Sequence, residues 1–330
     1  MKQIHDRMVI DPKNPEEMTR EEKSAALKYL MFLKQKKNGT MKGRGCADGR
    51  SQRASIDKSS VSAPTVATES VLLTSIIDAL EKRDVATVDI PGAFLHADME
   101  GDDVHVKFEG RLAEMLVKIN PQMYRKYIRD ENGKTIMYVQ LKKALYGTMQ
   151  AAMLFWKNLT GSLQEWGFTI NPYDWCVANK MVNNKQITVV WHVHDLKISH
   201  VDADVVTTFI KTLSKRYGSN DAPLTIKRGK IHEYIGMTLD YSKNDKVIVD
   251  MVSFVREIID ASLEIFNGLA KTPAASHLFE VNESAEQLNE EKGTLFHHLV
   301  YKILFLCKRG ADQTCKQQSL FLLPECLNQT

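Results

Sequence analysis

Apolar positions recur at threes and fours over residues 15–33, where Met18, Ala25, Ala26, Leu30 and Leu33 predict a helix. The same period returns over residues 65–83 (Val66, Leu72, Leu73, Ile76, Ile77, Leu80) and over 151–166 (Leu154, Phe155, Leu159, Leu163), the latter closed by Gly167. A further helix is expected over 203–217, with Asp202 as N-cap and Gly218 as its stop. Between these runs the pattern shortens to strands. Residues 85–88 form one that ends on Asp89 and is broken by Pro91-Gly92. Residues 104–108 alternate, Asn132-Gly133 turns into a strand at 136–139, and 176–182, 187–193 and 196–199 read as a meander with turns at Asn183-Asn184 and His194-Asp195. Residues 235–239 and 246–249 suggest a last hairpin, and helices near 254–266 and 294–306 finish the chain. Helices interleaved with mainly antiparallel strands predict an α+β fold.

Composition changes this picture little. The chain has 330 residues, 43% hydrophobic and 26% charged, and a formal charge of +3 that does not by itself imply nucleic acid. The five cysteines are scattered, with no C-x-x-C pair, so neither a zinc knuckle nor a disulfide framework is suggested and a reducing, intracellular, cytoplasmic setting is expected. No apolar run reaches the ~18 residues of a membrane span, and no targeting signal is read at the N-terminus. Charge distribution is more informative than its sum. From Lys34 to Lys58 eight positive residues face two negative ones around Asn38-Gly39. A Gly-rich basic hairpin can be a solvated loop, or it can hold phosphate, with Lys and Arg neutralising charge and Gly letting the backbone approach.

The stretch VVWHVHDLKIS (residues 189–199) then raises a choice of chemistry. His192 and His194 have the H-x-H spacing of some metal hydrolases, but Leu196 and Lys197 stand where H-x-H-x-D-H requires Asp and His. His200 and His232 are further candidate ligands without a supporting motif. Alternatively, the strand-end Asp89 and the hairpin Asp195 are carboxylates far apart in sequence that neighbouring strand ends could gather, as two-metal phosphoryl transfer requires. A turn-forming Asp accounts for Asp89 equally well at this level.

Ordered motifs favour the second option. MKGRGCADGRSQR is similar to K-A-R-L-V-A-x-G-x-x-Q, keeping Lys42, Arg44, Gly49 and Gln52. VDIPGAFLHADM is similar to D-V-x-x-A-F-L-N-G-x-L, keeping Asp89, Ala93, Phe94 and Leu95. LKKALYGTMQAAMLFWKNL is similar to L-x-K-A-L-Y-G-L-K-Q-A-P-R-x-W, keeping Leu145, Tyr146, Gly147, Gln150 and Trp156. IHEYIGMTLDY and FHHLVYKILFLCKRGAD complete the series. Over residues 30–312 the chain resembles the copia-type retrotransposon reverse transcriptases, as a partial, degenerate copy.

The resemblance implies a right-hand polymerase fold: fingers and palm over 30–252, an N-terminal extension over 1–29, and a truncated, helical, thumb-like segment over 253–330. It implies Asp89, the Ile90 carbonyl and Asp195 as metal ligands for Mg²⁺, or Mn²⁺, with Asp89, His194 and Asp195 as the catalytic set. Lys42 and Arg44 would meet the nucleotide phosphates. Phe94, beside Ala93, would lie under the sugar and reject a 2′-hydroxyl, and Gln150 would contact the nucleotide. Expected partners are a primed RNA or DNA template, deoxynucleoside triphosphates and the other parts of a retrotransposon polyprotein, with no membrane. The segment after Phe254 is too short for a ribonuclease H domain.

One departure bears on activity. The family's Tyr-Val-Asp-Asp stands here as His192-Val193-His194-Asp195, so a histidine replaces the first aspartate of the pair. Mg²⁺ prefers oxygen ligands, whereas imidazole suits Zn, Cu or Ni. Losing one contact charge at ~3 Å and an effective dielectric of ~20 is worth several kcal/mol, or several orders of magnitude in rate. The expectation is therefore a polymerase of impaired activity, or alternatively an inactive nucleic-acid-binding remnant of the same fold.

Overall fold

The computed structural model describes residues 1–35, 39, 41–54, 61–262 and 288–309. From the N-terminus the elements are α1 (Lys2–Asp6), β1 (Ile10–Lys13), α2 (Arg20–Ala25), β2 (Leu27–Gln35) and β3 (Met41–Ala47). Then come α3 (Thr68–Leu80), β4 (Asp84–Asp89), β5 (His105–Glu109), α4 (Arg111–Ile119), α5 (Pro121–Tyr124), β6 (Arg129–Glu131) and β7 (Lys134–Leu141). The middle holds α6 (Ala151–Glu165), β8 (Thr169–Ile170), β9 (Val177–Val182), β10 (Lys185–His192), β11 (Asp195–His200) and α7 (Ala203–Tyr217). The chain continues through β12 (Thr225–Arg228), β13 (Ile231–Tyr234), β14 (Met237–Asp240), β15 (Ile248–Asp250), α8 (Val252–Ala261) and α9 (Glu290–Cys307). This is the expected α+β composition.

The chain divides into two compact units. One comprises Met1–Val66, Val88–Ile198 and Asp204–Ile226, the other Ala67–Thr87, Ser199–Ala203 and Lys227–Thr330. The first unit contains a six-stranded sheet ordered β1-β7-β5-β2-β3, with β6 also on β7. Its pairs are antiparallel except β2 with β5. Tyr29 of β2 stacks on Phe108 of β5 at 4.3 Å, and α4 covers them with Ala113 and Leu116, all buried. Each large apolar side chain buried this way contributes about 1.5–3 kcal/mol. A second sheet runs β12-β4-β11-β10-β9-β8. The second unit has its own three-stranded sheet, β13-β14-β15.

Several expectations need correction. Residues 15–33 are not one helix: α2 is capped by a Thr19/Glu22 box, and the chain then becomes β2. Leu30 and Leu33 have helical spacing, but Leu27 and Tyr29 have strand spacing, and pairing with β3 and β5 buries these two. Tertiary pairing overrides local period here. The last hairpin also shifts. Ile235 and Gly236, at φ 50° and 76°, form the turn between β13 and β14 and do not belong to a strand. Helix α4 was not anticipated. The turns at Asn132-Gly133 and Asn183-Asn184 are present, all four residues at positive φ. Asn38 of the basic hairpin lies outside the described residues, as do Lys36, Lys37, Lys58, residues 263–287 and residues 310–330. No helix among the described residues is long and apolar enough to cross a membrane.

Candidate functional site

Two strand ends build the site. β4 carries a largely buried run, Val85, Ala86 and Val88, that delivers Asp89 at its last position, before Pro91-Gly92 breaks the chain. Val189, Val190 and Trp191 of β10, and Leu196 and Ile198 of β11, are fully buried, which fixes the hairpin between them. Its turn lies one residue earlier than expected. Val193 and His194 make it, and Asp195 already opens β11. Val193 takes φ 57°, a conformation that a β-branched residue adopts only under strain of about 1–3 kcal/mol.

The backbone N–H of Ile90 donates to the His194 carbonyl at 3.2 Å, so the two strand ends are tied beside the acidic residues. His194 Nδ1 lies 2.7 Å from Asp89 Oδ1 and 4.0 Å from Asp195 Oδ1. The three side chains offer ligand atoms that all lie within 4.8 Å of one another, the single such group found among the described residues. Burial, and after it the Asp89 charge, pushes the Asp195 carboxyl above its usual range, while His194 and His192 pull the other way. His200 and His232 are engaged elsewhere. His200 Nδ1 accepts from the Asp202 N–H, and His232 Nε2 lies 2.9 Å from the Gly229 carbonyl. The histidine-only metal site is therefore not assembled.

Phe94 is 8% exposed, its ring 4.2 Å from that of Tyr146. Tyr146 sits within the field of the acidic pair. Burial first, then Asp89 and Asp195, hold its phenol above the usual range, and the Arg44 guanidinium opposes them. Arg44 is exposed on β3, where Lys42 pairs with Lys34. Phe94, Arg44, Asp89 and Asp195 thus share one neighbourhood with Tyr146, a residue retained in the motif but given no role at sequence level. Ala93 is fully buried, backbone included, so in this structure it offers no surface to a nucleotide. Gln150 is not in this group. It begins α6, where its carbonyl accepts from Leu154, and it lines a cavity of about 990 Å³ with Gln52, Glu22, Asp102 and Asp103.

Two supporting devices were missed. The Gln52 side-chain Oε1 accepts from the Met149 N–H at 3.1 Å, and the Ala47 N–H donates to the Tyr146 backbone carbonyl at 2.7 Å. These bonds fasten β3 to the loop that carries Tyr146. Gly147 permits the fit, because a Cβ there would stand 1.9 Å from the Ala47 carbonyl oxygen. The retained Gly49, Gln52 and Gly147 were the available signal. Arg7 gave none. Its Nη1 donates to the Gly92 carbonyl at 3.2 Å and to His96 Nε2 at 2.9 Å, bracing the turn that follows Asp89 from more than eighty residues away.

Comparison with known proteins identifies the family. Residues 13–273 match the family described as reverse transcriptase (RNA-dependent DNA polymerase). The chain is 24% identical over 280 residues to a retrovirus-related Pol polyprotein from transposon TNT 1-94 of Nicotiana tabacum, which covers 82% of this chain and 19% of that one. The chain therefore spans about a fifth of that relative's length. Among solved structures, a foamy viral protease-reverse transcriptase in complex with double-stranded DNA aligns with 98% of this chain and 46% of its own, at 10% identity and a TM-score of 0.43.

Proposed function

The chain belongs to the reverse transcriptase (RNA-dependent DNA polymerase) family, and from that premise we propose that it is the RNA-directed DNA polymerase domain of a copia-type retrotransposon polyprotein, impaired at its catalytic hairpin. The observation that carries this reading is the convergence of Asp89, His194 and Asp195 on two adjoining strand ends. The family uses divalent metal ions, and paired Mg²⁺ ions call for carboxylate oxygen at all three positions. An imidazole at the second does not fit that pair, and its Nδ1 occupies an Asp89 oxygen.

The other residues have roles that need no ion. Lys42 and Arg44 neutralise triphosphate charge, and Arg44 shares the field of Asp89 and Asp195. Phe94, stiffened by Tyr146, presents a wall to the 2′ position of the sugar. Residues 30–252 serve as fingers and palm and 253–330 as a thumb-like segment, with primed template and deoxynucleotides as partners in an intracellular, cytoplasmic setting.

On this reading, the exposure of the three side chains sets the size of the expected loss. Side chains of Asp89, His194 and Asp195 are 41%, 32% and 52% exposed, so water screens the several kcal/mol of a contact charge at ε ~20 to about 2–3 kcal/mol. That corresponds to roughly a hundredfold in rate. Primer extension on an RNA template tests the reading: His194→Asp should extend about a hundredfold faster than the unaltered chain. Equal rates would sink the impairment. The His194–Asp89 bond also favours a second reading, an inactive remnant that holds nucleic acid. Template binding in both proteins, with extension in neither, would select it.

A further inference from the structure

We propose that Asp89, His194 and Asp195 form a single-ion site for a borderline divalent transition ion of the Zn²⁺ class. The reasoning goes beyond the polymerase reading, because it concerns only the ligands that two strand ends present. Two carboxylates and one imidazole are a mixed oxygen and nitrogen set, which Zn²⁺ and Co²⁺ accept and Mg²⁺ does not favour.

Distances suit one ion, since the three ligand atoms lie within 4.8 Å of one another. Bonds of ~2.0–2.2 Å place neighbouring ligand atoms roughly 3–3.6 Å apart. The observed contacts, 2.7 Å from His194 Nδ1 to Asp89 and 4.0 Å to Asp195, straddle that range. Small side-chain rotations equalise them. These rotations have room, because all three side chains are partly open to solvent, which also leaves positions for water on the ion. The backbone does not need to move, since the Ile90 N–H to His194 carbonyl bond already ties the two ends. Entry of the ion replaces the hydrogen now shared between Nδ1 and Asp89. Nδ1 becomes a ligand and the ring carries its hydrogen on Nε2.

Equilibrium dialysis of the full chain against Zn²⁺, with neither nucleotide nor template, tests this apart from any polymerase activity. The expected result is one Zn²⁺ per chain, bound more tightly than Mg²⁺. His194→Ala, His194→Asn and Asp89→Asn should each weaken it by about tenfold or more. His194→Asp should remove the preference for Zn²⁺ over Mg²⁺. Circular dichroism confirms which variants fold, and the two changes at His194 and one at Asp89 keep the test open if one fails. With Co²⁺ as probe, visible absorption in the unaltered chain should change when Zn²⁺ is added in competition. Zn²⁺ affinity unchanged in the folded variants would place the ion elsewhere and overturn the proposal. Equal affinity of the unaltered chain for Mg²⁺ and Zn²⁺ would do the same.

Discussion

His194 Nδ1 and Asp89 Oδ1 stand 2.7 Å apart although 105 positions separate them in the chain. The same ring nitrogen lies 4.0 Å from Asp195 Oδ1, so one imidazole neighbours both carboxylates. Replacing it by His194→Asp puts three carboxylates together, a repulsion of about 1–2 kcal/mol at this exposure. In chelator the variant should melt several degrees below the unaltered chain, and Mg²⁺ should recover the difference by binding the folded state. A melting temperature indifferent to Mg²⁺ in the variant would count against a carboxylate cluster.

Lys42 and Arg44 make a second prediction, through salt dependence. Each phosphate contact on duplex contributes about −0.9 to the slope of log K against log salt concentration. Lys42→Ala and Arg44→Ala should each flatten that slope by about one. Gel shifts over a salt series check it, and an unchanged slope removes these residues from the template's phosphates and leaves them only the triphosphate.

Gly147 is held at φ 90° with its missing Cβ 1.9 Å from the Ala47 carbonyl oxygen. Gly147→Ala collides with backbone that cannot swing aside, and with a backbone conformation that alanine disfavours. A loss of about 2–4 kcal/mol in urea unfolding is expected. Gly161→Ala serves as a control, since the added Cβ meets nothing within 4 Å and the residue lies inside a helix. That change should be neutral or stabilising.

His96 gives the pH arm. Burial, then the charges of Arg7, Lys143 and Arg216, pull its imidazole down to about 4. The unfolded side chain titrates near 6.5, so only the unfolded state takes up this proton as pH falls from 6.5 toward 4. Stability from this group is complete above pH 6.5 and declines through that window, by about 3 kcal/mol at most. His96→Gln, which keeps an acceptor for Arg7, should flatten the decline relative to the unaltered chain. Parallel curves of melting temperature against pH would refute the assignment.

Local chemistry made much of the fold legible. Asn-rich turns need positive φ, and Asn132 and Asn183 take it. Helix α6 follows the period of Leu154, Phe155, Leu159 and Leu163. Where two periods coexist, as over 27–35, the sequence alone could not choose between them. The choice depends on whether β3 and β5 are there to accept the strand's backbone hydrogen bonds.

The candidate site divides along the same line. Residue order and motif singled out Asp89 and Asp195 as candidates, put a basic hairpin before them, and set His194 at the position where the resembled motif has an aspartate. Tertiary structure alone decided that His194 bonds Asp89, that Tyr146 backs Phe94, and that Arg7 braces the turn between them. Strand ends bring these groups within bonding distance only once the sheets have paired, and no local pattern in the chain records which distant residue will be the neighbour.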